Sequence, residues 1–186
     1  CSVVFQVIIS QYFLTFGAVD SITQIVLGAA MGEVAGGKKM GNKAAAWGAF
    51  AGTIPDLDVF IRGIIHPIDG ALMHRGFSHS IVFALIASPI LAWLLKKLYR
   101  GRYGFKQWLW LFFLGIITHP MLDIFTNYGT QFFWPFDLRL TFNSVFVVDP
   151  LYTIPFSVCL VVALFLKKES RRRRVWNYTG IGISCL

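Results

Sequence analysis

The sequence predicts an all-α fold, a polytopic membrane bundle with about four to five membrane helices. Two observations lead to this prediction. Of the 186 residues, 56% are apolar and only 14% are charged, whereas a soluble domain has about 25% charged residues. The apolar residues also form long stretches that short basic segments separate. A chain this small cannot bury so much apolar surface in water, so a bilayer is its expected solvent.

Six apolar stretches follow one another along the chain, at residues 3–18, 21–36, 43–54, 80–98, 107–125 and 151–166. A 19-residue helix is about 28 Å long, enough to cross the hydrocarbon core, and the stretches at 80–98 and 107–125 meet this length. The stretches at 21–36 and 43–54 are shorter and rich in glycine and alanine. Their backbones are therefore predicted to pack closely against neighbours, and tilted, buried or re-entrant placements remain open.

The basic residues indicate the orientation. Fourteen of the 17 Lys and Arg residues fall in three alternate connections: Lys38, Lys39 and Lys43; Lys96, Lys97, Arg100, Arg102 and Lys106; and Lys167, Lys168 and Arg171 to Arg174. Only Arg62, Arg75 and Arg139 lie in the opposite connections. The positive-inside rule places the three basic connections in the cytoplasm and segments 55–79 and 126–150 outside. Chance clustering of the charges is the alternative.

The net charge of +8 also raises the question of nucleic acid. Here the basic blocks alternate with apolar runs, which is typical of membrane topology, so no nucleic-acid partner is expected and the lipid bilayer is the expected partner. Cys1, Cys159 and Cys185 are scattered and form no CxxC motif, which predicts neither a disulfide framework nor a cysteine zinc site.

The chain divides into three predicted regions. Residues 1–18 are an apolar extension of uncertain origin, and residues 19–168 form a membrane-embedded domain. Residues 169–186 contain a basic anchor for an anionic leaflet, Arg171 to Arg174, and then the start of a further part that we expect to continue beyond residue 186. The aromatic residues of segment 132–136 are interpreted as a belt at the membrane interface.

Histidines and aspartates mark the predicted outer ends of three helices. His119 and Asp123 have the i, i+4 spacing that places both on one helix face. Asp56 and Asp58 directly follow the stretch at 43–54. Carboxylates at a membrane boundary are costly unless they are paired or bind a metal ion.

The segment before residues 80–98 adds two more histidines, His74 and His79, and Ser78 or Ser80 is predicted to cap the helix there. The topology puts all these residues at one depth on one side. Their combination of oxygen and imidazole donors suits zinc, with manganese and iron as alternatives. The predicted metal ligands are Asp56, Asp58, His74, His79, His119 and Asp123.

Structural roles for the same residues remain open. The two histidines before the helix at 80–98 could be interfacial caps. His119 could be a buried hydrogen-bonding residue, and Asp123 could form a structural salt bridge with Arg75 or Arg139.

Several motifs together resemble one known family. The residues are Asp20-Ser21-Ile22-Thr23-Gln24, Gly52-Thr53-Ile54-Pro55-Asp56-Leu57-Asp58, His74-Arg75-Gly76-Phe77-Ser78-His79-Ser80, His119-Pro120-Met121-Leu122-Asp123 and Asp149-Pro150-Leu151-Tyr152. Over residues 20–166 they resemble the YdjM family, bacterial inner-membrane proteins described as metal-dependent hydrolases, some of them under LexA control in the SOS response. Members begin at Met-Asp-Ser-Ile-Thr, and Val19 stands at the position of that methionine.

The histidine and aspartate pattern is also similar to that of zinc-dependent phospholipase C enzymes. Together the resemblances imply a metal-dependent hydrolase of the bacterial inner membrane, multi-pass, with its site facing the periplasm or exterior. Its substrate would be a phosphoester or a lipid-linked molecule. Asp56 or Asp58 would act as general base if it is not a ligand, and Arg75 would neutralise a phosphate.

A non-enzymatic membrane protein with a structural or transported metal ion is the alternative hypothesis. A transporter should carry ionisable residues at mid-membrane, between repeated halves. In this sequence the ionisable residues lie at one predicted end of the helices and no internal repeat is seen, which favours the enzyme over the transporter and leaves a structural metal site open.

Overall fold

The computed structural model describes residues 22–57, 76–125, 130–142 and 150–183. Within these ranges the chain forms α-helices and no β-strand, which confirms the all-α prediction for this part of the chain. The six helices are α1 at residues 22–40, α2 at Asn42–Thr53, α3 at Ile81–Leu98, α4 at Phe105–Ile124, α5 at Pro150–Phe165 and α6 at Arg171–Ile183. Short 3-10 helices at Ile54–Leu57 and Phe77–His79 follow α2 and precede α3.

Helices α1 and α2 form a hairpin whose two backbones touch. Gly41 ends α1 with a φ of 61°, a left-handed conformation that glycine adopts without strain, so α2 begins after a one-residue turn. A Cβ atom built on Gly28 would lie 2.5 Å from the Gly48 carbonyl oxygen, and one built on Gly52 would lie 2.7 Å from the Gln24 carbonyl oxygen. The structure therefore confirms the close packing that the small residues predicted.

Two hydrophobic clusters hold the other helices around this hairpin. Trp108 and Phe112 of α4 are fully buried, in a cluster that α2 and α3 complete. Leu27 of α1 packs with Phe156 and Leu160 of α5 in the second cluster. Helix α2 contributes buried alanines to both clusters, so it lies at the centre of the described bundle.

Helix α6 joins the bundle through a buried ion pair. The Arg173 guanidinium donates from Nε and Nη2 to the two carboxylate oxygens of Glu33 in α1, at 2.6 and 2.7 Å. The Asn177 side chain donates to the Ala30 carbonyl oxygen at 3.1 Å. Within the predicted anchor 171–174, Arg173 thus contacts a carboxylate inside the protein, while the other three arginines are exposed.

The outward faces of α3 and α5 are apolar. Leu85, Ile90 and Trp93 of α3 are each more than half exposed, and so is Phe165 of α5. Within the described residues, α3 alone is both long and apolar enough to cross a membrane, while the apolar part of α5, Thr153–Phe165, is shorter. The expected four to five spans therefore stay a prediction.

Candidate metal centre

Four of the predicted site residues come together at one end of the bundle. Asp56 lies in the 3-10 helix after α2, His79 in the one before α3, and His119 and Asp123 in the last turns of α4. Asp58, His74 and Arg75 lie outside the described residues, so their predicted roles remain predictions.

Two imidazole rings stand between two carboxylates in this cluster. The Nε2 atom of His119 lies 3.2 Å from Asp56 Oδ1 and 3.8 Å from Asp123 Oδ2. The Nε2 atom of His79 lies 3.5 Å from Asp56 Oδ1 and 3.4 Å from Asp123 Oδ2. The centroids of the two rings are 4.9 Å apart. Each imidazole therefore directs the same nitrogen towards the same pair of carboxylates.

The backbone of α2 fixes the orientation of His119. Its Nδ1 atom is 2.6 Å from the Gly52 carbonyl oxygen. A carbonyl oxygen only accepts, so Nδ1 carries the proton and the neutral ring has its lone pair on Nε2. Gly115, one turn earlier in α4, permits this contact, because a Cβ atom there would lie 2.6 Å from the Ala51 Cβ. The glycine thus lets α4 approach α2 closely enough for His119 to reach Gly52.

The start of α3 positions His79. Ser80 is the N-cap of α3, and its hydroxyl oxygen accepts from the Phe83 backbone nitrogen at 3.1 Å. Ser78 Oγ lies 3.0 Å from His79 Nδ1. Ser80 is therefore the cap among the two predicted serines, and Ser78 engages the His79 nitrogen that faces away from the carboxylates.

Gln24 of α1 is a site residue to which the sequence pattern assigned no role. Its Nε2 atom donates to Asp123 Oδ1 at 3.0 Å and lies 3.5 Å from the His119 carbonyl oxygen. The neighbouring Thr23 hydroxyl is 2.8 Å from that of Thr153, which joins α1 to α5 beside the cluster. The signal in the sequence is two adjacent polar residues in the first part of α1, where residues 22–32 are otherwise apolar or glycine.

The cluster is buried except on the side of Asp56. His79, His119 and Asp123 are buried, but the Asp56 side chain is 34% exposed, so solvent reaches the cluster at Asp56. Burial acts to raise the pKa of Asp56, but hydrogen bonds and charge interactions with His119 and His79 outweigh it and hold that pKa below its usual range. Asp56 is therefore a carboxylate at neutral pH.

The arrangement fits one divalent ion. The ligand atoms of Asp56, His79 and His119 all lie within 4.8 Å of one another. A tetrahedral zinc ion with bonds of about 2.1 Å separates its ligand atoms by about 3.4 Å. The four imidazole–carboxylate separations, 3.2 to 3.8 Å, lie close to this value. This donor set suits zinc, and manganese and iron accept the same donors.

An aromatic segment packs next to the cluster. The Ile81 backbone nitrogen donates to the Phe132 carbonyl oxygen at 3.0 Å, and the rings of Trp134 and Phe77 are 5.0 Å apart. Phe133 and Phe136 in the same segment are 46% and 72% exposed. An exposed aromatic surface therefore adjoins the 3-10 helix that carries His79.

Comparisons with known proteins agree with the resemblance seen in the motifs. A family model described as YdjM inner membrane protein matches residues 19–186. Over 132 residues the chain is 32% identical to the inner membrane protein YbcI of Escherichia coli (strain K12), covering 61% of this chain and 72% of YbcI. It is also 32% identical over 127 residues to the uncharacterized protein YfhP of Bacillus subtilis (strain 168). That match covers 64% of this chain but only 38% of YfhP. No solved structure matches.

Proposed function

Because this chain belongs to the YdjM family of inner membrane proteins, we propose that it is a multi-pass membrane hydrolase that depends on a divalent metal ion, with zinc as the first candidate. The observation that supports this most is the convergence of Asp56, His79 and His119 from three separate elements on one point. We further propose that the site faces the periplasm or exterior, since the basic connections lie at the other ends of the helices.

In this proposal Asp56, His79, His119 and Asp123 hold the ion. When bound, such an ion would lower the pKa of a coordinated water to about 7 and would polarise a phosphoryl or acyl oxygen of the substrate. The Gly52 carbonyl oxygen keeps His119 Nε2 available as a ligand, and Gln24 holds one oxygen of Asp123 so that the other faces the imidazoles. Such supporting hydrogen bonds orient metal ligands in proteins.

The open side of the cluster defines where a substrate would enter. Asp56 is the exposed member, but its Oδ1 lies beside both imidazoles, so we assign it as a ligand. The role of general base then falls to Asp58, two residues later in the chain. Arg75 is proposed to neutralise the anionic substrate.

A phosphoester attached to a lipid is the proposed substrate class. The site lies at the end of the bundle where the apolar helix α3 begins and the apolar helix α4 ends. The exposed rings of Phe133 and Phe136 offer an apolar contact beside it. A lipid headgroup at this depth would place its phosphate near the cluster and its chains against apolar surface.

A structural metal ion is the second candidate, and the burial of three ligands favours it. His79, His119 and Asp123 are almost fully buried, as ligands of structural ions commonly are. Such an ion would tie the ends of α2, α3 and α4 together without catalysing a reaction.

Metal analysis tests the site itself. The full chain is purified in detergent and its metals are measured by mass spectrometry, beside His119→Ala and Asp123→Ala. Wild-type protein is expected to hold a stoichiometric divalent ion, which both variants lose. Asp137→Asn is the matched control, because Asp137 is an exposed carboxylate outside the cluster, bonded to Gln131. Wild-type protein without a stoichiometric ion would refute the site.

Activity assays then separate the two candidates. Phosphodiesters and phospholipids are incubated with the protein before and after chelation. Hydrolysis that stops with chelator, returns with zinc and is missing in His119→Ala supports the enzyme. If bound metal raises the melting temperature but no phosphoester is hydrolysed, the ion has a structural role and the proposed hydrolase activity is wrong.

A further inference from the structure

A basic pocket lies at the end of the bundle opposite the metal cluster. It has a volume of about 440 Å³. Its charged lining residues are Lys38, Lys39, Lys43, Arg102 and Lys168. They come from three separate parts of the chain: the helix ends on either side of the α1–α2 turn, the α3–α4 loop and the segment between α5 and α6. Segments far apart in the chain thus bring five cations to one cavity.

The lining of this pocket contains cations and no acidic side chain among the described residues. Of the two carboxylates nearby in the sequence, Glu33 is bound by Arg173, and Glu169 lies outside the lining, 3.7 Å from Lys168. Like charges that are held close together repel one another, and the repulsion is stronger where water is excluded. An anion in the pocket would relieve this repulsion.

The same pocket offers neutral hydrogen-bonding groups, and two of its cations lie near aromatic rings. Tyr103 and Gln107 contribute a hydroxyl and an amide to its lining. The Lys43 ammonium lies 5.9 Å from the centre of the Tyr99 ring, and the Arg102 guanidinium lies 5.8 Å from that of Tyr103. Aromatic rings at this distance attract cations and restrict their positions. The set of a guanidinium, ammonium groups and neutral donors is the one that proteins use to bind phosphate.

We infer that this pocket binds the phosphate headgroup of an anionic phospholipid. A lipid is favoured over a free phosphate because α3, an apolar helix long enough to cross a membrane, ends at the loop that contributes Arg102 to the pocket, and Leu94 and Leu98 are exposed in its last turns. Acyl chains can lie against that surface while the headgroup occupies the pocket. Basic residues next to membrane helices on the cytoplasmic side attract anionic lipids. This inference is independent of the proposed hydrolase activity.

The test compares lipid binding by the purified full chain and by a variant that removes one cation from each connection, Lys43→Gln, Arg102→Gln and Lys168→Gln. The probe is phosphatidylglycerol in neutral detergent micelles, and native mass spectrometry reports the lipid retained. Each basic residue contributes about 1 kcal/mol near an anionic surface, so the triple variant should bind about 100-fold more weakly.

The matched control removes three exposed cations at the same end of the bundle that do not line the pocket, Lys96→Gln, Lys97→Gln and Lys106→Gln, and should bind as the wild type does. A variant that keeps the pocket charges, Lys43→Arg with Arg102→Lys, should also bind, which separates lost charge from lost fold. Equal weakening in the control, or equal binding of phosphatidylcholine, would overturn the inference. Displacement of the lipid by millimolar inorganic phosphate would assign the pocket to a free anion instead.

Discussion

Single hydrogen bonds determine which atoms of the cluster can bind a metal ion. The Gly52 carbonyl oxygen fixes the proton of His119 on Nδ1 and so presents Nε2 to the cluster. The Gln24 amide has the equivalent role for Asp123, because it donates to Oδ1 while Oδ2 lies 3.4 Å from His79 Nε2. Both contacts come from outside the ligand set, and both orient a ligand before any ion arrives.

Replacing Gln24 should weaken metal binding without removing a ligand. In Gln24→Leu the buried Asp123 Oδ1 loses this donor, so this hydrogen bond no longer orients the carboxylate towards the imidazoles. Loss of a supporting hydrogen bond typically costs 10- to 100-fold in metal affinity, so we expect the zinc dissociation constant to rise by about that factor. Competition with a chromophoric chelator measures it.

Gln131→Leu is the control for this substitution. Gln131 also donates to a carboxylate, Asp137, at 2.7 Å, but this pair is exposed and lies outside the cluster. The Gln131→Leu variant should bind zinc as tightly as the wild type does. Unchanged affinity in Gln24→Leu would mean that Asp123 is held by other contacts.

At the scale of single residues, the sequence predicts contacts between residues that lie close together in the chain. His119 and Asp123 are four residues apart in one helix, so their shared face follows from helix geometry. Gln24 is 99 positions from Asp123 in the chain, and no local pattern relates the two. Its role depends on how α1 packs against α4, which only the folded structure gives.

The hairpin of α1 and α2 sets the spacing on which the metal cluster depends. Gly52 has two functions there, since its lack of a side chain lets α1 approach and its carbonyl oxygen binds His119. The Gln24 carbonyl oxygen lies against Gly52 across this contact. The distance between the two helices therefore fixes the positions of both residues that orient the ligands.

Widening this contact should lower both stability and metal affinity. In Gly48→Val the new side chain would meet the Gly28 carbonyl oxygen and the Gly32 backbone, which cannot move aside. Overpacking of this kind costs about 1 to 3 kcal/mol, which corresponds to a fall of roughly 3 to 10 °C in melting temperature for a chain of this size. Thermal unfolding in detergent with zinc present, and again after chelation, measures both effects.

Ala46→Val puts the same side chain on an exposed position of the same helix, and its melting temperature should stay close to that of the wild type. An equal loss in the two variants would show that β-branching in the helix, and not the contact between backbones, lowers the stability.

The helices were largely predictable, because apolar stretches and their breaks are features of the local sequence. The predicted stretch at 80–98 corresponds to α3 at Ile81–Leu98, and 43–54 to α2 at Asn42–Thr53. Helix α1 continues to residue 40, past the predicted 36, because lysine is a good helix former and only Gly41 breaks the helix. The pairing of Arg173 with Glu33 joins residues 140 positions apart, so the arginine run alone could not predict it.

The whole molecule has two chemically different ends. The metal cluster lies where α2 and α4 finish and α3 begins, whereas the basic pocket lies where α1 and α3 finish and α2 and α4 begin. Because successive helices run in opposite directions, their order in the chain places the metal cluster and the basic pocket at opposite ends of the bundle. In a bundle that spans the membrane as proposed, one orientation would therefore determine the side of both sites.

Cysteine labelling tests that orientation. In a variant with Cys1, Cys159 and Cys185 replaced by alanine, single cysteines are introduced as Asp137→Cys, in the exposed segment beside the metal cluster, and Lys97→Cys, exposed at the basic end. Because the basic connections should remain in the cytoplasm, a membrane-impermeant maleimide should label position 137 in intact spheroplasts and position 97 only after permeabilisation. The reverse pattern would place the metal cluster in the cytoplasm and exclude a periplasmic substrate, and labelling of both positions from outside would contradict a bundle that spans the membrane.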